Sequence, residues 1–239
     1  MKEQIKSFLR IVGYILHRNR DSKVIYYHDL GVDYTEMGTD FNVFASHIEI
    51  VRSLGFSLVD RITKKKDEVM VCFDDGWLGI YSHRDFFKKQ GFFPTIFIAV
   101  DLIGTEGFLT SSQILDMQKE GFHFECHSWT HTGLPDHYGE DLVHEVGDSK
   151  NYLENLLGHK ISGICFPQGR FNKDVIAACE KAEYSQMYSS LNGSFYRLQD
   201  ENLICRNLLQ DVPDKDVKYI LLGDSVIQRM RLKIGRAHV

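Results

Sequence analysis

The sequence predicts an α/β fold: a parallel sheet, closed or nearly closed into a barrel, with helices outside it. Three observations carry this expectation. Short apolar strand-like runs alternate with helical patterns along most of the chain, as they do in repeated βα units. No linker, repeat or low-complexity stretch interrupts the alternation in the 239 residues, so it reads as one principal domain. The residues best suited to chemistry, His28, Asp74-Asp75, His127 and Pro167-Gln168-Gly169, all fall at the ends of strand-like runs. Barrels collect such residues from different strands at their C-terminal face.

The elements follow in order. Residues 1–22 form a basic segment in which the apolar run 8–16 is interrupted by Arg10, and no small-residue cleavage site precedes His17-Arg18-Asn19-Arg20. The expectation is an amphipathic helix, packed on the barrel or lying on a membrane surface, and no clear signal peptide. Residues 23–28 are the first strand. Phe41, Phe44, Ile48, Val51 and Leu54 then recur at helical spacing, with Gly55 placed to end the helix. Strand 69–73 leads into a helix over 77–90 that stops at Gly91, and 95–100 is the next strand. Ser111 or Ser112 can cap a helix to Glu120. Strand 122–126, helix 140–157 and strand 161–166 follow, and Asn172 can cap a helix to Ala182. Short strands continue to about Gln210, and 216–231 reads as a helix. The layout is thus a barrel over 23–215 and a C-terminal helical segment over 216–233. The last residues, 234–239, read as adapter-encoded, non-native sequence, so the natural chain is expected to continue past about Lys233.

Composition bounds the function. The chain is 43% hydrophobic and 26% charged, within the globular range, and has no run long enough to span a bilayer. A net charge of −5 lacks the basic footprint of a nucleic-acid binder, so no nucleic-acid partner is expected. The five cysteines are odd in number, without a Cys-x-x-Cys pair, and mostly set in apolar stretches. Free buried thiols in a reducing compartment follow. The expected location is cytoplasmic, or peripheral at the inner face of the membrane.

Three short motifs offer chemistry, and each alone has a bland reading. Asp74-Asp75-Gly76 closes an apolar run. Adjacent carboxylates repel unless a cation intervenes, yet the same residues suit a turn or a helix cap. His127 and His131 stand four apart. Two imidazoles and a carboxylate would hold a metal and leave positions open for catalysis, but such pairs also occur on solvated helices. Pro167-Gln168-Gly169 is either a plain turn or one that aims a backbone N–H at an oxyanion.

Taken together and in this order, the motifs resemble those of the polysaccharide deacetylase superfamily, the metal-dependent carbohydrate esterases. Cys72-Phe73-Asp74-Asp75-Gly76 is similar to the first motif, Thr-Phe-Asp-Asp-Gly, and His127-Ser128-Trp129-Thr130-His131 to the second, His-[Ser/Thr]-x-x-His. Pro167-Gln168-Gly169 resembles the third, and 93–98 an intervening Pro-Ala-Thr-x-Phe strand. Tyr27-His28 resembles an element near the start of the poly-N-acetylglucosamine deacetylase branch, where the motifs are circularly permuted. The resemblance, covering about residues 23–207, implies a distorted (β/α) barrel of about seven parallel strands. It implies that Asp75, His127 and His131 bind a divalent metal, with Zn²⁺ the expected ion. It makes Asp74 the general base and His28 the general acid. Gln168 and Gly169 would hold the oxyanion through backbone N–H. The arginine that orients the base in the family stands at Cys165 here, and Arg170 or, preferably, Arg206 is expected to replace it. Gln168 occupies a position that is aromatic in the family. Trp129 and Tyr27 are candidates to stack on a sugar ring.

The implied function is a metal-dependent hydrolase removing acetyl groups from N-acetylated sugars of a polysaccharide or glycan precursor. Basic residues near both ends (Lys2, Lys6, Arg10, Arg18, Arg20; Arg229, Arg231, Lys233) suit contact with anionic lipid headgroups. Two other readings stand beside it: a hydrolase of non-sugar amides on the same barrel, and an inactive glycan-binding module. The spare aspartate argues against the module, since a pure binder needs none.

Overall fold

A computed structural model describes residues 2–31, 37–196 and 202–223. In chain order the helices are α1 (Lys2–His17), α2 (Phe41–Ser53), α3 (Gly79–Ser82), α4 (Arg84–Gln90), α5 (Ser111–Glu120), α6 (Glu140–Val143), α7 (Ser149–Leu157), α8 (Lys173–Lys181) and α9 (Asp214–Leu221). The strands are β1 (Lys23–Tyr27), β2 (Asp29–Leu30), β3 (Gly38–Thr39), β4 (Ser57–Val59), β5 (Glu68–Phe73), β6 (Thr95–Ile98), β7 (His123–Cys126), β8 (Gly163–Cys165), β9 (Gln186–Tyr188), β10 (Leu203–Ile204) and β11 (Arg206–Leu208).

The main sheet runs β10-β9-β8-β7-β6-β5-β1-β11, every pairing parallel. Only Cys205 separates β10, on one end of that path, from β11, on the other. The chain itself therefore closes the ring. Counting β10 and β11 as one kinked stave, it has seven: β1, β5, β6, β7, β8, β9 and β10–β11. The distortion is visible in the pairings. β4 and β6 share one edge of β5, β4 opposite Glu68 to Met70 and β6 opposite Cys72 and Phe73. β7 and β8 meet at the single pair Cys126↔Ile164.

Side-chain alternation separates two cores. Val24, Tyr26, Met70, Cys72, Phe97, Cys165, Tyr188 and Ile204 form one buried cluster, the barrel lumen. Their neighbours Ile25, Tyr27, Val71, Phe73, Ile96 and Ile98 belong to the larger cluster under the helices. Burial on both faces is why these strands read as continuous apolar runs rather than alternating ones.

Several helix expectations are refined. The predicted 77–90 helix is two short ones, α3 and α4, broken at His83. Trp77 is drawn out of it by a bridge to Phe108, and Asp29 Oδ1 accepts the N–H of Gly79 at 3.0 Å, fixing where α3 begins. A Cβ on Gly79 would lie 2.0 Å from the Leu30 carbonyl oxygen, so only glycine fits there. The cap of α5 is Thr110, not Ser111 or Ser112. It forms a capping box with Gln113, which satisfies two otherwise free donors. The 140–157 helix exists but carries a π turn over His144–Asp148. Asn172 caps α8 as expected.

α1 docks on α9 through Tyr14 against Tyr219 and through Ser7 and Arg10 on Asp216. No described helix is long and apolar enough to cross a membrane. α9 starts two residues before the predicted 216; Arg229, Arg231, Lys233 and the 234–239 tail lie outside the described residues.

Candidate active site

Alternation along β5 sends Met70, Cys72 and then Asp74 into the lumen. Arg206 pairs with Val24, another lumen residue, so its side chain also enters the barrel. There Arg206 Nη1 donates to Asp74 Oδ1 at 2.6 Å and Nη2 to Oδ2 at 2.9 Å. Both residues are buried, the arginine fully. A buried arginine persists only when paired and bonded. Arg206 meets this requirement: it also donates Nε–H to the Ser189 carbonyl and stacks on Tyr26, 4.1 Å from the ring centre. Burial alone would raise the Asp74 carboxyl, but the Arg206 guanidinium outweighs it and holds Asp74 below the usual carboxylate range.

Cys165 stands where the resemblance places an arginine. Its thiol is pushed well up by burial and receives Arg206 Nη2–H at 2.8 Å. The guanidinium thus reaches the same place from β11 instead of β8. Arg170 does not take part; it forms a forked ion pair with Asp136 on the surface.

Asp75 turns out of the strand at φ 70, and Gly76 follows at φ 84. His127 and His131 extend beyond β7 and bring their Nε2 atoms to 3.2 and 2.9 Å from Asp75 Oδ1. Three donor atoms from two loops converge here. The fit to a cation follows from their lone pairs. Neither imidazole approach has the alignment of a hydrogen bond, so Asp75 Oδ1 is a buried acceptor without a donor. His127 Nδ1 lies 2.8 Å from the Cys165 carbonyl oxygen, which can only accept, so Nδ1 carries the proton. In the neutral ring the Nε2 lone pair then faces the carboxylate lone pair. Two such acceptors stay in contact only with a cation between them. In the metal-free protein contact with the Asp75 carboxylate raises His131 above its usual value. Burial would raise Asp75, but the two imidazoles hold it well below its own. The site is built for a divalent metal ion.

Backbone strain marks the same loops. Of the six described non-glycine residues at positive φ, four are Asp75, Ser128, His131 and Gln168. Such conformations persist where surrounding contacts enforce them. Ser128 Oγ accepts the His131 N–H at 3.2 Å. Glu145, buried within the π turn, accepts the N–H groups of Trp129 and Thr130 at 3.1 and 3.0 Å and the Thr130 hydroxyl at 2.7 Å. π turns recur at functional sites, and here the extra residue aims a carboxylate at the ligand loop. Gln168, exposed and at φ 59, precedes Gly169, where a Cβ would sit 2.5 Å from Ser190 Cβ.

His28 follows β1 and lies within electrostatic reach of Asp74. Its Nδ1 meets Gln210 Oε1 at 2.7 Å, which places the proton on Nδ1 and leaves Nε2 as the free end. The two candidates for sugar stacking differ in exposure. Tyr27 is fully buried and bonded to His47. Trp129 is half-buried and packs its ring on His144 and Tyr152. Glu145, Gln210 and Trp77, whose indole N–H donates to Asp75 Oδ2 at 3.0 Å, escaped the sequence reading. Only Trp77 left a local signal, its place two residues after Asp75.

Comparison with known proteins agrees with this geometry. The family described as Polysaccharide deacetylase matches residues 61–187, more than half of the chain. The chain belongs to the polysaccharide deacetylase family. It is 29% identical over 167 residues to YxkH of Bacillus subtilis (strain 168), a protein carrying a polysaccharide deacetylase name; the match covers 65% of this chain and 60% of YxkH. Streptococcus pyogenes deacetylase PplD, solved in complex with acetate, superposes with a TM-score of 0.74 at 19% identity, covering 84% of this chain and 98% of PplD. IcaB from Ammonifex degensii gives 0.74 at 20% identity, covering 86% and 99%. At these identities the two structures establish the shared fold.

Proposed function

We propose that this protein is a metal-dependent deacetylase that hydrolyses the acetamide of N-acetylated sugars in a polysaccharide or glycan precursor. One observation carries the reading. A carboxylate kept ionised by a buried arginine, Asp74, sits beside a second carboxylate, Asp75, whose free lone pair converges with two imidazoles. A structural turn needs neither.

In this reading Asp75, His127 and His131 hold the ion, and two imidazoles with one carboxylate suit Zn²⁺. A divalent ion there supplies Lewis acidity, which polarises a carbonyl and acidifies water. Asp74 accepts the proton of the attacking water; it stays ionised because Arg206 faces it, and the forked contact fixes its orientation. The Gln168 backbone N–H, turned by its left-handed conformation, donates to the developing oxyanion, with Gly169 permitting the close turn. In this step His28 acts as the imidazolium: Gln210 accepts its Nδ1–H, and Nε2 gives its proton to the departing amine, leaving the neutral ring. The products are acetate and a free amino sugar.

The placement we propose is the cytoplasmic side, with α1 resting on the inner membrane face. Support comes from the burial of all five cysteines and from exposed Ile5, Phe8, Ile15 and Leu16 on α1. Flotation with anionic vesicles at low salt tests it: protein that stays wholly unbound rules the contact out.

The activity is tested by acetate release from N-acetylated oligosaccharides by protein loaded with Zn²⁺. Asp74→Asn is expected to retain the ion, by elemental analysis, and to lose about two to four orders of magnitude in rate. Equal rates in both proteins would sink the assigned base. Turnover of simple amides with none of sugars would move the substrate class.

A further inference from the structure

Tyr27 is too buried to stack on a sugar ring, and Tyr26 and Phe97 face Arg206 inside the barrel. Trp129 is half-buried against His144 and Tyr152. A second half-buried aromatic surface adjoins Asp75 itself. Trp77 and Phe108 stack with ring centres 4.0 Å apart and an interplanar angle of 30°. Both are only half-buried. The pair touches the metal centre directly, since the indole N–H is bonded to Asp75 Oδ2 at 3.0 Å.

The backbone presets this pair. Trp77 and Phe108 form an antiparallel bridge, Leu78 N–H donates to the Gly107 carbonyl at 2.8 Å, and Leu109 N–H donates to that of Gly76 at 2.9 Å. Gly107 lies at φ +86 beneath the indole, where a Cβ would come within 3.6 Å of the ring. Because Asp75 already satisfies the indole N–H, the half-exposed part of the two rings is apolar. Stacked rings left half-open at the mouth of a polar site forgo burial that the core would have offered. The C–H face of a sugar ring is the occupant matching both the flat apolar surface and the acetamide chemistry beside it.

We propose that Trp77 and Phe108 form the platform on which a pyranose ring of the glycan packs, in the subsite adjoining the metal centre. The proposal rests on the deacetylase reading and adds where the sugar lies. Trp77 thereby has two duties: its N–H orients the metal ligand Asp75, and its ring with Phe108 receives substrate.

Tryptophan emission tests this, because the chain contains only Trp77 and Trp129. In a Trp129→Phe parent, Trp77 is the sole reporter. Titration with β-1,4- and β-1,6-linked tetramers of N-acetylglucosamine is expected to change its emission saturably for at least one of them. Adding Phe108→Ala should raise both half-saturation and KM about five- to tenfold and leave kcat within about twofold. Phe108→Leu, which keeps apolar packing but has no ring face, should show the same split and guards against a folding defect. Trp77→Phe in the otherwise unaltered protein should keep KM and weaken Zn²⁺ retention against a chelator about tenfold. KM unchanged in both Phe108 variants overturns the platform, while acetate release persisting there leaves the deacetylase reading intact. Emission that responds to sugar without acetate release supports the platform and overturns the deacetylase reading. If neither tetramer binds or reacts, both fall.

Discussion

Asp74 remains ionised in the barrel only because Arg206 faces it, so the two stand or fall together. Breaking a buried pair by removing one partner leaves an uncompensated charge. Arg206→Met is therefore expected to cost about 3–5 kcal/mol in urea denaturation at neutral pH. The pH dependence has a definite sign. The folded carboxyl lies below its usual value, so the pair's contribution is complete above the ordinary carboxylate range. It is lost as pH falls through that depressed value. In Arg206→Met burial is opposed only by His127 and His28, so Asp74 rises and the acid limb of kcat/KM should move to higher pH. An unmoved acid limb would mean that Asp74 is not the base. Gln210 acts similarly on His28, through a neutral acceptor. Gln210→Leu should release the Nδ1–H preference, visible in imidazole ¹⁵N shifts, and lower kcat about tenfold, whereas Gln210→Glu keeps an acceptor and retains both.

At the scale of elements, the π turn between α6 and α7 links a helix to the metal loop. A regular helix over 140–157 would rotate residue 145 relative to its neighbours. The inserted residue instead lets Glu145 satisfy two backbone N–H groups and a hydroxyl of the strained Ser128–His131 loop. Glu145→Ala should leave α6 and α7 helical by circular dichroism yet weaken Zn²⁺ affinity about 10–100-fold in chelator competition. Unchanged affinity would reduce Glu145 to a packing residue. The apolar spacing of this helix was legible in the sequence, as were the caps at Asn172 and Gly91, because these are local signals. The π turn was not, since the contacts that stabilise it lie 15 and 16 residues away in the His127–His131 loop. The late start of the 77–90 helix at Gly79 was hidden for the same reason: Asp29 and Phe108 fix it from distant positions.

The whole molecule is a ring closed by a short kinked stave, and its cluster of candidate metal ligands draws on two non-adjacent staves. Asp74, Asp75, His127 and His131 were legible because strand, turn and residue type coincide within a few positions. Arg206 was legible only as a gap at Cys165, since parallel closure through β11 pairs it with β1 across most of the chain. That closure also determines how the ion affects stability. Asp75 hangs from β5 and the two histidines from β7, with β6 between them. An ion bound to all three ties together loops that unfold with different staves, so it binds the folded chain and not the unfolded one. At free Zn²⁺ about a hundredfold above Kd the gain should be about 2.7 kcal/mol. Proton competition sets its pH dependence. His131 is raised in the metal-free protein, so its pairing with Asp75 contributes fully below the ordinary imidazole range and fades as pH rises through the raised value. Binding must displace that proton, so the ion's contribution grows over the same interval. The difference in thermal midpoint between loaded and metal-free protein should therefore widen from about pH 6 to pH 8. In His131→Ala the widening should largely vanish, because the displaced proton belongs to that imidazole. A difference in midpoint that stays constant with pH in the native protein would show that the ion does not sit between Asp75 and His131.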